Sequence, residues 1–469
     1  AMRRLRPALA LATLLVLPAC SGDDAPEAEG AAAPTEATTA VDPALAGLPG
    51  AEEATVNEEG VDPLPPLRDD VALPIVFVHG FAGSAQQYES QAVRFVANGY
   101  PQDRIVAYDH DGAGTDIGGY ADGLAEVVDE ALEASGAEQV YLVGHSRGTF
   151  VAGTYLADPA RAVNVAKYVA LDGAPCPHMV PCLAPTQESN PGQSHVEVAT
   201  SPESFAAQYE FLVGEAPAVV DLVPQRDPVV LSGRAVNFPA NTGRAGVTLD
   251  VWAVDPDTGA RVGDEPHSSF AIGEDGAFGP FVAESGGHYE WLLSSEDSPV
   301  QHHLYLQPYV RSSELVRLLS SSPDGDTRAN TNTGDDHSAV IAIRMREWYA
   351  ADDADLPGDQ ADGLEIRAGD EAPVNVLTDF VGNDAIGLHL HDDVATPGET
   401  TLAALPYFST QPFQSGVDVF LPAADPTDST ITVRNIPRGD TDRPQTLNAP
   451  NWPSSTHSIS VVFTDYPVD

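Results

Sequence analysis

Lysine is almost absent: Lys167 is the only one in 469 residues. Lysine and arginine together number 22 against 70 aspartates and glutamates, a net charge of −48. A surface of that sign repels phosphate backbones and anionic membrane faces, which excludes nucleic acid as a partner. Long apolar runs are missing too, since none reaches the roughly 18 residues that a membrane-spanning helix needs. Cysteine is down to three. Two of them, Cys176 and Cys182 in C-P-H-M-V-P-C, supply too few soft ligands for a metal centre.

The length calls for two or three domains, and 40 glycines with 40 prolines point to many turns and much β structure. The first 20 residues read as a secretory signal, with Arg3, Arg4 and Arg6 as the basic start and residues 8–19 as a short apolar stretch. Leu17-Pro18-Ala19-Cys20 before Ser21-Gly22 follows the pattern of a lipoprotein cleavage site with Cys20 as the lipidated residue. The alternative is a plain signal with an incidental cysteine. In an exported chain Cys176 and Cys182 are expected to form a disulfide. Residues 21–70, rich in Ala, Glu, Pro and Thr, are expected to be a disordered tether.

From residue 74 the pattern is different. Pro74-Ile75-Val76-Phe77-Val78 reads as a strand buried on both faces. Further strands are expected at 104–108, 140–143 and 168–171, and helices at 85–98, 120–134 and 149–156. This alternation predicts a parallel sheet flanked by helices over 71–221. Residues 222–469 read as an all-β sandwich or barrel, with lobes at 222–298 and 299–469 and a short helix near Leu315–Leu319.

The strongest chemical signal is Gly144-His145-Ser146-Arg147-Gly148, a G-x-S-x-G turn between an expected strand and an expected helix. Such a turn raises the serine hydroxyl above the sheet. Serine needs a histidine to take its proton and a carboxylate to orient that histidine. Asp172 ends the next strand, where a side chain enters the crevice over the sheet. His195 lies on a loop before a helix opened by Ser201 and Pro202, and His178 is its rival. Asp109 and Asp111 precede the serine and read as loop residues. The backbone N–H groups of Arg147 and Phe81 are the expected oxyanion donors. His79, in His79-Gly80-Phe81-Ala82-Gly83, reads as a structural hydrogen-bonding residue.

The stretches VFVHGFAGSAQQYE, LVGHSRG, YVALDGAP, SHVEVATSPESFAAQYEFLVG, HHLYLQPYVRSSELVRLL and NWPSSTHSISVVFTDY resemble microbial α/β-hydrolase lipases of the archaeal-lipase-like type, which carry a β-rich C-terminal domain. The resemblance implies hydrolysis of acylglycerol esters, with Ser146 as nucleophile, Asp172 as acid and His195 as base. It also implies that the C-terminal region helps to bind lipid. That chemistry needs no metal and no organic cofactor. The expectation is an exported serine ester hydrolase, a lipase, held at the outer membrane face through Cys20. A polyester depolymerase or short-chain carboxylesterase is the alternative of the same chemistry. A non-catalytic surface binding protein is the alternative of another class.

Other features carry less. His389 and His391 share a strand face with Asp393 in step, a weak metal pattern, while His302 and His303 point to opposite faces. The turns of 255–276 lack an EF-hand spacing. Phe81, Phe150 and Tyr155 are candidates for the acyl site.

Overall fold

The computed structural model describes residues 45–351, 356–357, 360–378 and 384–468. The expected signal, Cys20 and the tether up to residue 44 lie outside the described residues. Residues 45–70 do not behave as a tether. Val61 forms a bridge to Gln225, and Val282 N–H donates to Pro49 O at 2.8 Å. Gly60 runs so close to the Gln225 backbone that a Cβ there would lie 2.3 Å from its carbonyl oxygen. A segment of low hydrophobicity is thus held by backbone hydrogen bonds to other loops, which composition does not register.

The α/β part alternates as its sequence predicts: β1 (Ile75–Val78), α1 (Glu89–Ala97), β2 (Ile105–Tyr108), α2 (Ile117–Ser135), β3 (Val140–His145), α3 (Arg147–Leu156), α4 (Pro159–Ala162), β4 (Val165–Leu171), β5 (Cys182–Leu183), α5 (Glu197–Thr200) and α6 (Pro202–Val213). The strands form one parallel sheet in the order β2-β1-β3-β4-β5. Every residue of β1 is buried because helices cover both faces. Phe77 packs with Tyr88, Phe95 and Phe205 on one side, and Val76 and Val78 pack with Leu142 and Tyr155 on the other. The helix ends follow local rules. Asp116 caps α2 by accepting from Gly119 N–H, and Gly136 ends it at φ 67°. Cys176 and Cys182 are joined in a disulfide beside β5.

The β region follows with β6 (Val229–Asn237), β7 (Thr242–Gly243), β8 (Thr248–Ala253), β9 (Ser268–Ala271), β10 (Ala277–Ala283), β11 (Tyr289–Ser295), β12 (Ser298–Leu306) and β13 (Ser313–Ser320). After α7 (Asp326–Ala329) come β14 (Val340–Trp348), β15 (Gly363–Ala368), β16 (Val374–Asn375), β17 (Ala385–His391), β18 (Gln414–Asp418), β19 (Thr430–Ile436), β20 (Gln445–Pro450) and β21 (His457–Phe463). A sheet of order β10-β6-β13, with β7 on β6, and a sheet of order β16-β15-β19-β20 flank one long sheet, β18-β17-β14-β21-β12-β11-β8-β9.

Two expectations are corrected here. Residues Leu315–Leu319 are strand, not helix. Leu315 enters the α/β core, Val316 and Leu318 enter a β core, and Leu319 joins a third cluster, so this segment, with the buried Arg317 in its middle, is a strand covered on both faces. Nor is there a lobe boundary at 298. β11 and β12 are an antiparallel pair that closes at Ser295 and Ser298, so that position is a hairpin turn.

Charges clamp the β region onto the α/β part. Asp109, expected in a loop, is fully buried and pairs with Arg317 at 2.7 Å and Arg234 at 3.0 Å. It also accepts the Ala85 N–H at 2.7 Å. Burial pushes its carboxyl up, but Arg317, His79, the Ala85 N–H and Arg234 outweigh that and hold it below the usual range.

Candidate active site

Ser146 stands between β3 and α3 with φ 51° and ψ −121°, a conformation costing a non-glycine residue roughly 1–3 kcal/mol. The turn closes only because its neighbours are small. A Cβ on Gly148 would lie 2.1 Å from Val78 O, and one on Gly144 would lie 2.9 Å from Gly148 O. Ser146 N–H donates to Leu171 O at 2.9 Å, which ties the turn to the end of β4.

Asp172 follows β4 directly, also at positive φ, 39°. Its Oδ2 accepts from His195 Nδ1 at 2.6 Å, and its Oδ1 accepts the Gln187 N–H at 3.1 Å. Burial raises the carboxyl pKa, but the His195 and Gln187 hydrogen bonds outweigh it and the net shift is downward. For His195, burial lowers the pKa, while the Asp172 bond and charge, with Glu347 and Asp384 adding to them, leave it above the ordinary 6.5. His178, the rival, is exposed, and Asp172 is taken by His195.

Gly80 brings the first loop against the turn: its Cβ would meet Ser146 Cβ at 3.0 Å. Two residues on, Ala82 is held at φ 51° by donating its N–H to Gly112 O at 2.8 Å. The N–H groups of Phe81 and Arg147 have no partner among the described residues. The Arg147 guanidinium lies 5.2 Å over the Phe81 ring and donates to Gly114 O at 2.5 Å and Asp111 O at 2.6 Å. It therefore holds the first loop and the serine turn together. His79 and His145 are both buried, and burial as the first cause drives each down to about 3. His145 is neutral, accepts from Gln87 Nε2 and donates from Nε2 to His195 O at 3.0 Å.

Comparison with known proteins bears on this arrangement. A model described as alpha/beta hydrolase fold matches residues 74–207, one described as lipase C-terminal domain matches 227–323, and one described as a C-terminal domain matches 326–467. The chain has the α/β-hydrolase fold. A non-heme chloroperoxidase of Streptomyces lividans is 34% identical over 136 residues, covering 27% of this chain and 44% of that protein. One of Burkholderia pyrrocinia is 35% identical over 143 residues with the same coverage. The chain thus spans less than half the length of these two relatives. The solved structure of a lipase-esterase related protein of Clostridium acetobutylicum shares 18% identity, covers 24% of this chain and 46% of its own, and has a TM-score of 0.19.

Residues far along the chain, outside every motif, support the hydrolase site. Glu347 on β14 is fully buried and accepts the Val196 N–H at 2.6 Å and the Ser194 hydroxyl, the two residues flanking His195. One residue further, Glu197 pairs with Arg438 at 2.7 Å and Arg346 at 2.8 Å. Arg438 also reaches Asp362 at 2.6 Å, and Asp362 holds Arg344 at 2.9 Å. The His195 loop of the hydrolase domain is therefore seated on the β region. These residues are far from His195 in sequence and lie in no motif, so no local signal identifies them.

The other candidates are placed as follows. Tyr155 is core, Phe150 is exposed, and neither lines the main cavity. His389 stacks on Phe408 at 3.7 Å, with His391 against the same ring. Among the described residues no group of His, Cys, Asp and Glu could hold a metal ion, and no helix is long and apolar enough to cross a membrane.

Proposed function

We propose that this chain is an exported serine ester hydrolase acting on lipid-like esters. The observation that carries the reading is the Asp172–His195 hydrogen bond beside a strained serine turn, with two backbone N–H groups left unpaired at the same place. In this reading Ser146 Oγ attacks the ester carbonyl while His195 Nε2 takes its proton. Asp172 holds Nδ1–H and stabilises the imidazolium. The Phe81 and Arg147 N–H groups receive the oxyanion. His195 returns the proton to the leaving alcohol, water then releases the acyl group, and the products are one acid and one alcohol. The match to a lipase C-terminal domain and an apolar cavity wall beside His195 support a lipid-like substrate. The signal-like first 20 residues and the disulfide support export.

The test is hydrolysis of p-nitrophenyl esters from C2 to C16, with fluorophosphonate labelling in parallel. Labelling at Ser146 and activity that rises beyond C8 are expected. Activity confined to C2–C4 would replace the lipase reading with the short-chain esterase, and a folded protein that takes no label would favour a binding protein.

The pH profile follows from the site. His195 works as a base only when neutral, and Asp172 holds its pKa above 6.5. The acid limb of kcat/KM is therefore expected above pH 6.5. Asp172→Asn should move it to lower pH and cut kcat by about 10⁴-fold. A limb that stays in place in Asp172→Asn would separate Asp172 from the base.

A further inference from the structure

A cavity of about 490 Å³ lies against the long sheet of the β region. Neither Ser146 nor His195 lines it. It meets the site through Ala82, next to Phe81, and through Phe413, whose ring is stacked 6.3 Å from the His195 ring. Near His195 its wall is apolar: Met345, Ile386, Leu319 and Phe238 cluster there with Val196.

The wall changes character along β14. Met345, Ile343 and Ile341 alternate into the cavity, and four strand residues span about 13 Å. At the level of Ile341 the neighbouring strands contribute His389 and Ser460. Ser460 Oγ is bonded at 2.8 Å to Nε2 of His302, which also lines the cavity.

Arg244 completes this far end. It is half-buried, donates to Asn237 Oδ1 at 2.9 Å and forms no ion pair among the described residues. Burial, His303 and the Arg244 charge together drive His302 down to about 3, so the imidazole beside this guanidinium is neutral. Arg328, the second guanidinium on the cavity wall, donates to the Ser454 and Ser455 carbonyls. Asp297 and Asp324 stand exposed at the rim and bond to neither arginine. In a chain with 70 acids, two guanidiniums that face a cavity without an ion pair among the described residues leave positive charge for a guest, and Arg244, with one neutral acceptor against two for Arg328, is the better placed to grip it.

We propose that the cavity takes the acyl chain of the ester and that Arg244 grips a carboxylate at the chain's far end, which makes the substrates ω-carboxylated esters such as carboxylate-ended fragments of an aliphatic polyester. This rests on the ester-hydrolase reading above. A planar guanidinium binds a carboxylate by two parallel N–H bonds, and His302 and Ser460 add neutral hydrogen-bonding groups around it. The cavity opens at Ala82, beside Phe81, whose N–H is assigned to the carbonyl oxygen, and its apolar near wall suits the acyl chain. The acidic surface does not forbid an anion here, because exposed charges are screened beyond about 8 Å at physiological ionic strength.

The test compares mono-p-nitrophenyl sebacate with p-nitrophenyl decanoate, two chains of equal length that differ in the terminal carboxylate. The full-length protein is expected to favour the first in kcat/KM by about tenfold or more, through KM. Arg244→Gln should bring the ratio close to one, Arg244→Lys should keep part of it, and the surface variant Arg367→Gln should keep all of it. A ratio at or below one in the parent, or one that survives Arg244→Gln, overturns the proposal. If neither ester is cleaved, the hydrolase reading fails separately. Calorimetric titration with free sebacate then decides: saturable binding lost in Arg244→Gln upholds the seat, and no binding by the parent ends it.

Discussion

Replacing Ser146 by alanine is expected to lower kcat by about 10⁴-fold or more while leaving KM near that of the parent. In the proposed mechanism this hydroxyl is the group that forms the covalent intermediate, and alanine offers nothing in its place. The residual rate should come from the oxyanion donors and from binding alone. The melting temperature should stay level or rise slightly, because Ser146 Oγ makes no hydrogen bond among the described residues and the strained φ of 51° is kept by any side chain at that position. Steady-state kinetics on one ester, with thermal melting of both proteins, check this. A variant that retains a tenth of the activity would remove Ser146 from the chemistry.

Cutting the chain after residue 221 is expected to abolish activity and soluble expression, although the cut leaves Ser146, Asp172 and His195 in place. Leu315 is buried in the α/β core, and Asp109 is buried against arginines of β6 and β13. The cut removes both arginines and exposes the apolar surface of the α/β core that Leu315 covers. The same cut frees the His195 loop from Glu347, Arg346 and Arg438. Glu347→Ala isolates that last effect. It leaves the Val196 N–H without its acceptor, at about 1–3 kcal/mol, and lets the imidazole drift. A drift of roughly 1 Å is worth about 10²-fold in rate. The expected signature is a fall in kcat of that order with KM held, and an acid limb displaced to lower pH because the Glu347 charge no longer supports protonated His195. Glu347→Gln, which keeps an acceptor for Val196, should recover part of kcat. A Glu347→Ala protein that merely melts earlier, with its pH limb unmoved, would make Glu347 structural only.

These two predictions differ in how they could be reached. Ser146, Asp172 and His195 each stand at a local event: a glycine-bounded turn after a strand, an Asp-Gly pair after the next strand, and a loop before a Ser-Pro helix start. Local events leave marks within a few residues, so both the parallel sheet and its candidate site were legible. Phe81 and Arg147 were reached in the same way, as the residues after a strand and after the turn. Glu347, Asp109 and Arg438 act across hundreds of positions, and a buried acid looks no different in sequence from one of the many on the surface. The segment 45–70 leaves no such mark either, since distant backbone holds it: Val61 N–H donates to Pro224 O, Asn57 N–H to Arg226 O, and Val282 N–H to Pro49 O. Leu315–Leu319 misled because burial on both faces erases the alternation that separates strand from helix.

The position of β21 has a consequence in time. It lies between β12 and β14 and pairs with both in parallel, although it is made after them. At about 5–20 residues per second of synthesis, β12 waits roughly 10–30 s for the strand that completes the sheet beside it. Through that interval β12, and β14 once it has been made, present an open edge, and no earlier strand can close the gap without taking the wrong neighbour. The order of manufacture thus keeps two sheet edges exposed until residue 463 has emerged.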